Sequence, residues 1–236
     1  MHLVLLPGLD GTGRLFAPLL ATLPAGYSAT AIVYPPTECA SYAELQHRVA
    51  DLLPSGEPFV MVAESFSGPI AIRLAARAPR NLQALVLCAT FAHAPRGLLI
   101  RSLLRLSSRW LFAIPPPRWS IRLLLAGAGA SDDLVSSSRD AIASVLPSVL
   151  RDRLRQAIAV DVRSDLRAIS IPIFYLQATR DRLIGPSSAE RMRKIRPEML
   201  IKSIDAPHLL LQRRPAEAIR EIHSWLCVRG LARRSI

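Results

Sequence analysis

Phe59-Val60-Met61-Val62-Ala63-Glu64-Ser65-Phe66-Ser67-Gly68-Pro69-Ile70-Ala71-Ile72-Arg73-Leu74-Ala75-Ala76 is the stretch on which the reading of this chain turns. Its first five residues form an unbroken apolar run of strand length, and a helical pattern starts at Gly68. A serine thus stands where a buried strand turns sharply into a helix, the setting of a nucleophile elbow. In so tight a turn the positions two before, two after and three after the nucleophile must be small. For Ser65 these are Ala63, Ser67 and Gly68; for Ser67 they would be Ser65, Pro69 and Ile70, a set too large for the turn. Ser65 is the better candidate, with Ala63 and Ser67 where the G-x-S-x-G pattern has glycines. Taken alone, the string also fits a serine in an ordinary strand–helix turn.

Strand-length apolar runs recur at His2–Leu6, Ala29–Tyr34, Ala84–Ala89, Ile171–Leu176 and Met199–Ile204. Helical patterns lie between them at Leu15–Leu23, Tyr42–Leu53, Gly68–Ala78, Ser187–Ile195 and Pro215–Val228. Strands buried on both faces and alternating with helices predict an α/β fold with a doubly wound, mainly parallel six-stranded sheet. The rhythm breaks between residues 93 and 168, where a long, mainly helical stretch separates two strands. Pro115-Pro116-Pro117 and Gly127-Ala128-Gly129 divide it into three or four short helices. We therefore expect a core of residues 1–92 and 169–236 with a helical cap, 93–168, inserted in it.

Three further features fall at strand ends. Pro7-Gly8-Leu9-Asp10-Gly11-Thr12-Gly13 follows the first strand. With Gly8 permitting close approach and Gly11 and Gly13 permitting turns, this loop can bring the Leu9 N–H beside that of Phe66, making two donors for an oxyanion. A phosphate cradle is the alternative, but the glycine spacing matches neither G-x-G-x-x-G nor a P-loop. Asp181 directly follows the penultimate strand, and its competing role is an ion pair with Arg180 or Arg182. His208 lies in the loop after the last strand, where a general base would sit; a solvated loop histidine is the alternative. Asp205 is the fallback acid, poorly aimed because it is only three residues from His208. The other histidines, His2, His47, His93 and His223, read as surface or packing residues.

Composition narrows the function class. Half of the 236 residues are hydrophobic and a fifth are charged, which excludes disorder as the main state. Cys39, Cys88 and Cys227 have no metal-ligand spacing, so no zinc site or disulfide framework is expected, and a reducing, cytoplasmic compartment fits. The apolar N-terminal run stops at Pro7-Gly8, too short for a secretory signal. Pro18, Pro24, Gly26, Pro35 and Pro36 interrupt the uncharged stretch Leu15–Thr37, so no membrane span is expected.

The order Gly-rich loop, serine elbow, Asp181 after a strand and His208 in a late loop resembles the α/β-hydrolase superfamily, whose triad runs Ser, Asp, His. The resemblance covers nearly the whole chain, and the combination is more specific than any of its pieces. It implies an α/β-hydrolase fold lacking the N-terminal hairpin, and a cap inserted where the stretch from His93 begins. It also implies an esterase in which Ser65 attacks an ester or thioester carbonyl, His208 acts as base and Asp181 orients it, with Leu9 and Phe66 holding the oxyanion. No metal or organic cofactor is implied. An acyltransferase of the same fold would use the same residues, and a binding module with a non-functional triad is the non-enzyme alternative.

The formal charge is +12, and 28 of the 30 basic residues are Arg. Six of them, Arg96, Arg101, Arg105, Arg109, Arg118 and Arg122, lie between His93 and Ser131 without a single Asp or Glu. Arg101, Arg105 and Arg109 recur every four residues as one helical stripe, with Leu99, Leu103, Leu106 and Trp110 on other faces. Solvated arginines on a cap helix are one reading. The others make Arg101, Arg105, Arg109 and Trp110 contacts for an acyl carrier protein or an anionic membrane surface, with the protein then peripheral to the membrane. The short capped layout and the basic run Arg151-Asp152-Arg153-Leu154-Arg155 also loosely resemble pimeloyl-acyl-carrier-protein methyl ester carboxylesterases. Few aromatics and no recognition motif argue against nucleic acid.

Overall fold

The apolar runs pair side by side into one parallel sheet, because strands buried on both faces are covered by the helices that connect them. In the computed structural model of the chain, residues 1–94, 112 and 114–232 are described. Among them the strands are β1 (His2–Leu6), β2 (Ser28–Ala31), β3 (Phe59–Glu64), β4 (Leu82–Cys88), β5 (Ile173–Ala178) and β6 (Leu200–Ile204). Their order is β2-β1-β3-β4-β5-β6, every neighbouring pair parallel.

Strand alternation divides the core in two. Val4, Leu6, Met61, Ala63, Leu85, Leu87 and Tyr175 face one layer, which the helices Tyr42–Asp51, Gly68–Ala76 and Ser187–Arg193 cover. Leu3, Leu5, Val60, Val62, Val86, Phe174 and Leu176 face the other, closed by Phe16, Leu19 and the helix Pro215–Val228. There Trp225 stacks on Phe174 with ring centroids 5.0 Å apart.

Every strand but β1 begins or ends one to three residues away from its apolar run, and at β5 and β2 the backbone gives the reason. β5 starts at Ile173 rather than Ile171 because Pro172 has no N–H to give the ladder. β2 stops at Ala31 rather than Tyr34 because the chain turns inward, and the Tyr34 N–H donates to the Gly11 carbonyl at 2.8 Å.

Between β4 and β5 the described residues form the helices Arg118–Ile121, Asp132–Ala143, Pro147–Ala159 and Arg163–Ala168. The first runs into a π-helical turn, Arg122–Ala126. Arg101, Arg105, Arg109 and Trp110 lie outside the described residues. No helix among the described residues is long and apolar enough to cross a membrane.

Candidate active site

The strand order locates the site before any side chain is considered. β2 lies on one side of β1 and β3 on the other, and α/β sheets bind ligands at the carboxyl ends of strands where the winding reverses. Leu6 of β1 pairs with Ala63 of β3, so the loop Pro7–Gly13 leaves the sheet beside the Ser65 turn. Residues following β4, β5 and β6 converge on the same edge.

Ser65 adopts φ 50°, in the left-handed region that a non-glycine residue enters at a cost of about 1–3 kcal/mol. Its surroundings hold it there. The Thr90 hydroxyl, just past β4, donates to the Ser65 carbonyl. Thr90 is itself clamped by Tyr175, whose hydroxyl accepts the Thr90 N–H at 3.0 Å and donates to the Thr90 carbonyl at 2.7 Å. The Tyr42 hydroxyl donates to the Phe66 carbonyl at 3.0 Å, fixing the next peptide. Gly68 is required by space, since a Cβ there would lie 1.9 Å from Thr90 Oγ1. Gly68→Ala should therefore lower stability by roughly 1–3 kcal/mol through overpacking. Thermal denaturation checks this, and a melting temperature within a degree of wild type contradicts it.

Ser67, the rival nucleophile, is fully buried and committed elsewhere. Its Oγ lies 2.6 Å from the Tyr34 hydroxyl and donates to the Pro7 carbonyl, tying the elbow to the loop.

Asp181 follows β5 by three residues. Its Oδ1 accepts the N–H groups of Leu183 (2.8 Å) and Ile184 (3.0 Å), which turns Oδ2 to His208 Nδ1 at 2.8 Å. His208 Nε2 lies 2.9 Å from Ser65 Oγ. The three residues chosen from sequence thus form one hydrogen-bonded chain. The ion pair weighed against this role goes elsewhere: Arg180 Nε binds exposed Asp205 at 2.7 Å, so Asp205 does not serve His208. Burial opposes charge on the imidazole, yet the Asp181 charge and hydrogen bond, and then the Glu64 charge, outweigh it and raise the His208 pKa. Burial likewise pushes the Asp181 carboxyl up, but His208 and the two backbone donors hold it below the usual carboxylate range.

The loop after β1 is shaped by its own bonds. The Asp10 carboxylate accepts the Thr12 N–H at 2.9 Å, and Gly11 and Gly13 both take φ 70°, so both glycines serve as turns. Gly8 differs from its expected role: a Cβ there would make only ordinary contacts, 3.6 Å from Asp10 Oδ1 and 3.9 Å from Ser65 Cβ. Close packing falls instead on Gly11, where a Cβ would lie 2.6 Å from Arg153 Nη1. Phe66, second in the helical turn begun by Ser65, has no intrahelical acceptor for its N–H. Among the described residues the Leu9 N–H has no partner in the loop's backbone hydrogen bonds.

The role of Arg153 does not stand out in the sequence, where its basic run serves only as part of a loose family resemblance. It is 2% exposed and donates to three carbonyls, Leu9 (2.9 Å), Asp10 (2.8 Å) and Pro35 (2.8 Å), beneath the Tyr34 ring face. A signal was present: Val149, Leu150, Arg153 and Ala157 share one helical stripe, so Arg153 lies on the buried face. Glu64 and Gln212 were also missed; both are buried and hydrogen-bonded to each other at 3.1 Å. Among the described residues no cluster of three or more His, Cys, Asp or Glu side chains could hold a metal ion.

Residues 3–222 match the sequence model of the alpha/beta hydrolase family. No curated protein sequence matches the chain. Solved structures share its fold. A hydrolase from Oleispira antarctica superposes with TM-score 0.82 at 15% identity, over 96% of this chain and 90% of that one. An esterase from Thermogutta terrifontis gives 0.80 at 20% identity, over 97% and 90%. A bacterial membrane phospholipase A gives 0.79 at 20% identity, over 98% and 80%.

Proposed function

The chain belongs to the alpha/beta hydrolase family, and on that premise we propose that it is a serine esterase, cleaving a carboxylic ester or thioester through an acyl-enzyme. The observation that carries this reading is the continuous chain Ser65 Oγ, His208, Asp181, with contacts of 2.9 and 2.8 Å. His208 Nε2 takes the Ser65 proton as Oγ attacks the carbonyl carbon, and Asp181 supports the imidazolium. The Phe66 and Leu9 N–H groups receive the oxyanion, and the proton passes from His208 to the leaving alkoxide or thiolate. Water, deprotonated by the same histidine, then releases the acid. No step calls for a metal or organic cofactor.

The insertion of residues 93–168, read as a cap, supplies apolar surface near this chemistry. Leu9 packs against Val145, Val149 and Leu150, and a small apolar cavity of about 90 Å³ opens beside them, lined by Phe112, Ile142 and Pro147 among others. The apolar side chains against Leu9 support an apolar group on the ester. On the outside Ile114, Trp119 and Leu123 are exposed beside Arg118 and Arg122, which share Asp132 as an ion-pair partner and so keep one positive charge in excess of it, a mixture that suits an anionic lipid surface. The lipid surface is our second reading of the partner, beside an acyl carrier protein, in a reducing, cytoplasmic setting.

The test is a fluorophosphonate probe followed by an ester panel that varies acyl length and compares methyl with carrier-linked esters, with and without anionic vesicles. Labelling should map to Ser65, and apolar acyl esters should turn over fastest. An unlabelled protein that turns over no ester refutes the assignment. Acceleration by the carrier-linked arm or by the vesicles identifies the partner, and an added alcohol that captures the acyl group would mark acyl transfer instead.

A further inference from the structure

Glu64 is the last residue of β3, directly before Ser65, and it is 3% exposed. Gln212 stands four residues after His208 in the helix Leu210–Arg213, and it is 6% exposed. The Gln212 amide donates to Glu64 Oε2 at 3.1 Å, joining the strand that carries the serine to the helix that follows the histidine loop. Two atoms of the pair have no hydrogen-bond partner among the described residues, Glu64 Oε1 and Gln212 Oε1. These are the two atoms that a carboxylic acid–amide ring would join: if Glu64 carries a proton on Oε1, that O–H can donate to the Gln212 carbonyl oxygen. Buried polar groups are rarely left unpaired, and a proton on Glu64 Oε1 would give both atoms a partner at once.

The charged and titratable groups facing Glu64 come from every side of the sheet edge. They are His208 from the loop after β6, Asp10 from the loop after β1, Asp181 from the loop after β5, and the Cys88 thiol from β4. His208 favours the Glu64 carboxylate, as does the hydrogen bond from Gln212; the two aspartates oppose it. Burial, the largest influence, pushes the Glu64 pKa up to about 7, and the carboxylate in turn raises the pKa of His208.

We propose that Glu64 is a positioning residue which, through Gln212, holds the His208 loop against the serine strand, and whose carboxylate supports His208 as it accepts the Ser65 proton. The proton itself moves only from Ser65 Oγ to His208 Nε2. Protonated Glu64 keeps the ring to Gln212 but withdraws the charge, so activity responds to two ionisations on the acid side. This inference rests on the Ser65–His208–Asp181 reading.

Two substitutions separate charge from hydrogen bonding. Glu64→Gln lets two amides close the same ring with no charge, and Gln212→Leu keeps the carboxylate without its donor. With a short p-nitrophenyl ester, the wild-type acid limb of kcat/KM should need two ionisations to fit. In Glu64→Gln it should need one, moved about one pH unit toward acid because the imidazole has lost a neighbouring anion, with the plateau lower by about 3- to 10-fold. Gln212→Leu should lower kcat while the limb remains biphasic.

Stability gives a readout that no loss of folding can hide. A Glu in the unfolded chain titrates near 4.5 and Glu64 in the fold near 7. The unfolded state therefore holds fewer protons between those values, and stability falls as pH rises through that window. Glu64→Gln should melt higher than wild type at pH 8 and not at pH 4.5; a difference independent of pH overturns the titration. A single-ionisation limb in the wild type, or an unchanged limb and plateau in Glu64→Gln, overturns the proposal provided that the fluorophosphonate labels Ser65. If Ser65 does not label, the triad reading fails first.

Discussion

Ser65→Ala should reduce turnover of short p-nitrophenyl esters by about 10⁴-fold or more, leaving only what the oxyanion donors and binding can do without a nucleophile. The fold should survive. Ser65 already sits at φ 50°, and this chain tolerates alanine in the same backbone region at Ala78 (φ 48°) and Ala89 (φ 45°). The Thr90 clamp grips the Ser65 carbonyl rather than its side chain, so it persists in the variant. Circular dichroism and the melting temperature should match wild type, and the fluorophosphonate adduct should vanish. A variant keeping a tenth of the activity would exclude Ser65 as nucleophile. Ser67 offers no substitute, because its hydroxyl is spent between Tyr34 and Pro7.

The second large effect belongs to Arg153→Met. Methionine fills much of the volume, but three carbonyls, those of Leu9, Asp10 and Pro35, lose their donors in a site that water hardly reaches. Hydrogen bonds to a buried charged group are worth about 1.5–3 kcal/mol each and are not additive, so a loss of about 3 kcal/mol in stability is expected. The catalytic consequence is the more telling one. Arg153 fixes the peptides on either side of Asp10 and so pins the loop that offers the Leu9 N–H. Misplacing one oxyanion donor should lower kcat by about 10²-fold with a much smaller change in KM. Arg153→Lys should rescue little, because one ammonium cannot span carbonyls on two separate segments as the planar guanidinium does. Denaturant titration with Michaelis kinetics tests this; lost stability with unchanged kcat would make Arg153 purely structural.

The contrast between Ser65 and Arg153 marks what the sequence could reveal. Strands and helices alternate as apolar runs and periods, and the sheet forces the residues after β1, β3, β5 and β6 to one edge. The position of Ser65, Asp181 and His208 in chain order therefore foretold their meeting. Asp181 against Asp205 was decided by the same logic, since a residue across the sheet can aim at a ring that a near neighbour in the chain cannot.

What stayed hidden depends on long-range partners with no local signature. Arg153 reads as one of many arginines until its helix is docked, and Thr90 gives no hint that it will touch Gly68. Glu64 sits in an apolar strand, where its charge looks solvated, and nothing near it in sequence points to Gln212. The charge stripe Arg101, Arg105 and Arg109, with Trp110, lies outside the described residues, so its role rests on the vesicle and carrier experiments.

The same insertion braces both the loop after β1 and the loop that carries His208. Arg153 reaches the loop after β1, and the Leu125 carbonyl, in the π-helical turn, accepts the Leu209 N–H at 3.0 Å next to His208. A segment far from the sheet in sequence thus holds two loops at its carboxyl edge in tension. Grafting a foreign insertion onto this core would consequently trade rate along with selectivity. Changing the cavity wall while keeping the Arg153 and Leu125 attachments should alter selectivity at little cost in rate, a result that Michaelis kinetics on wall variants would check.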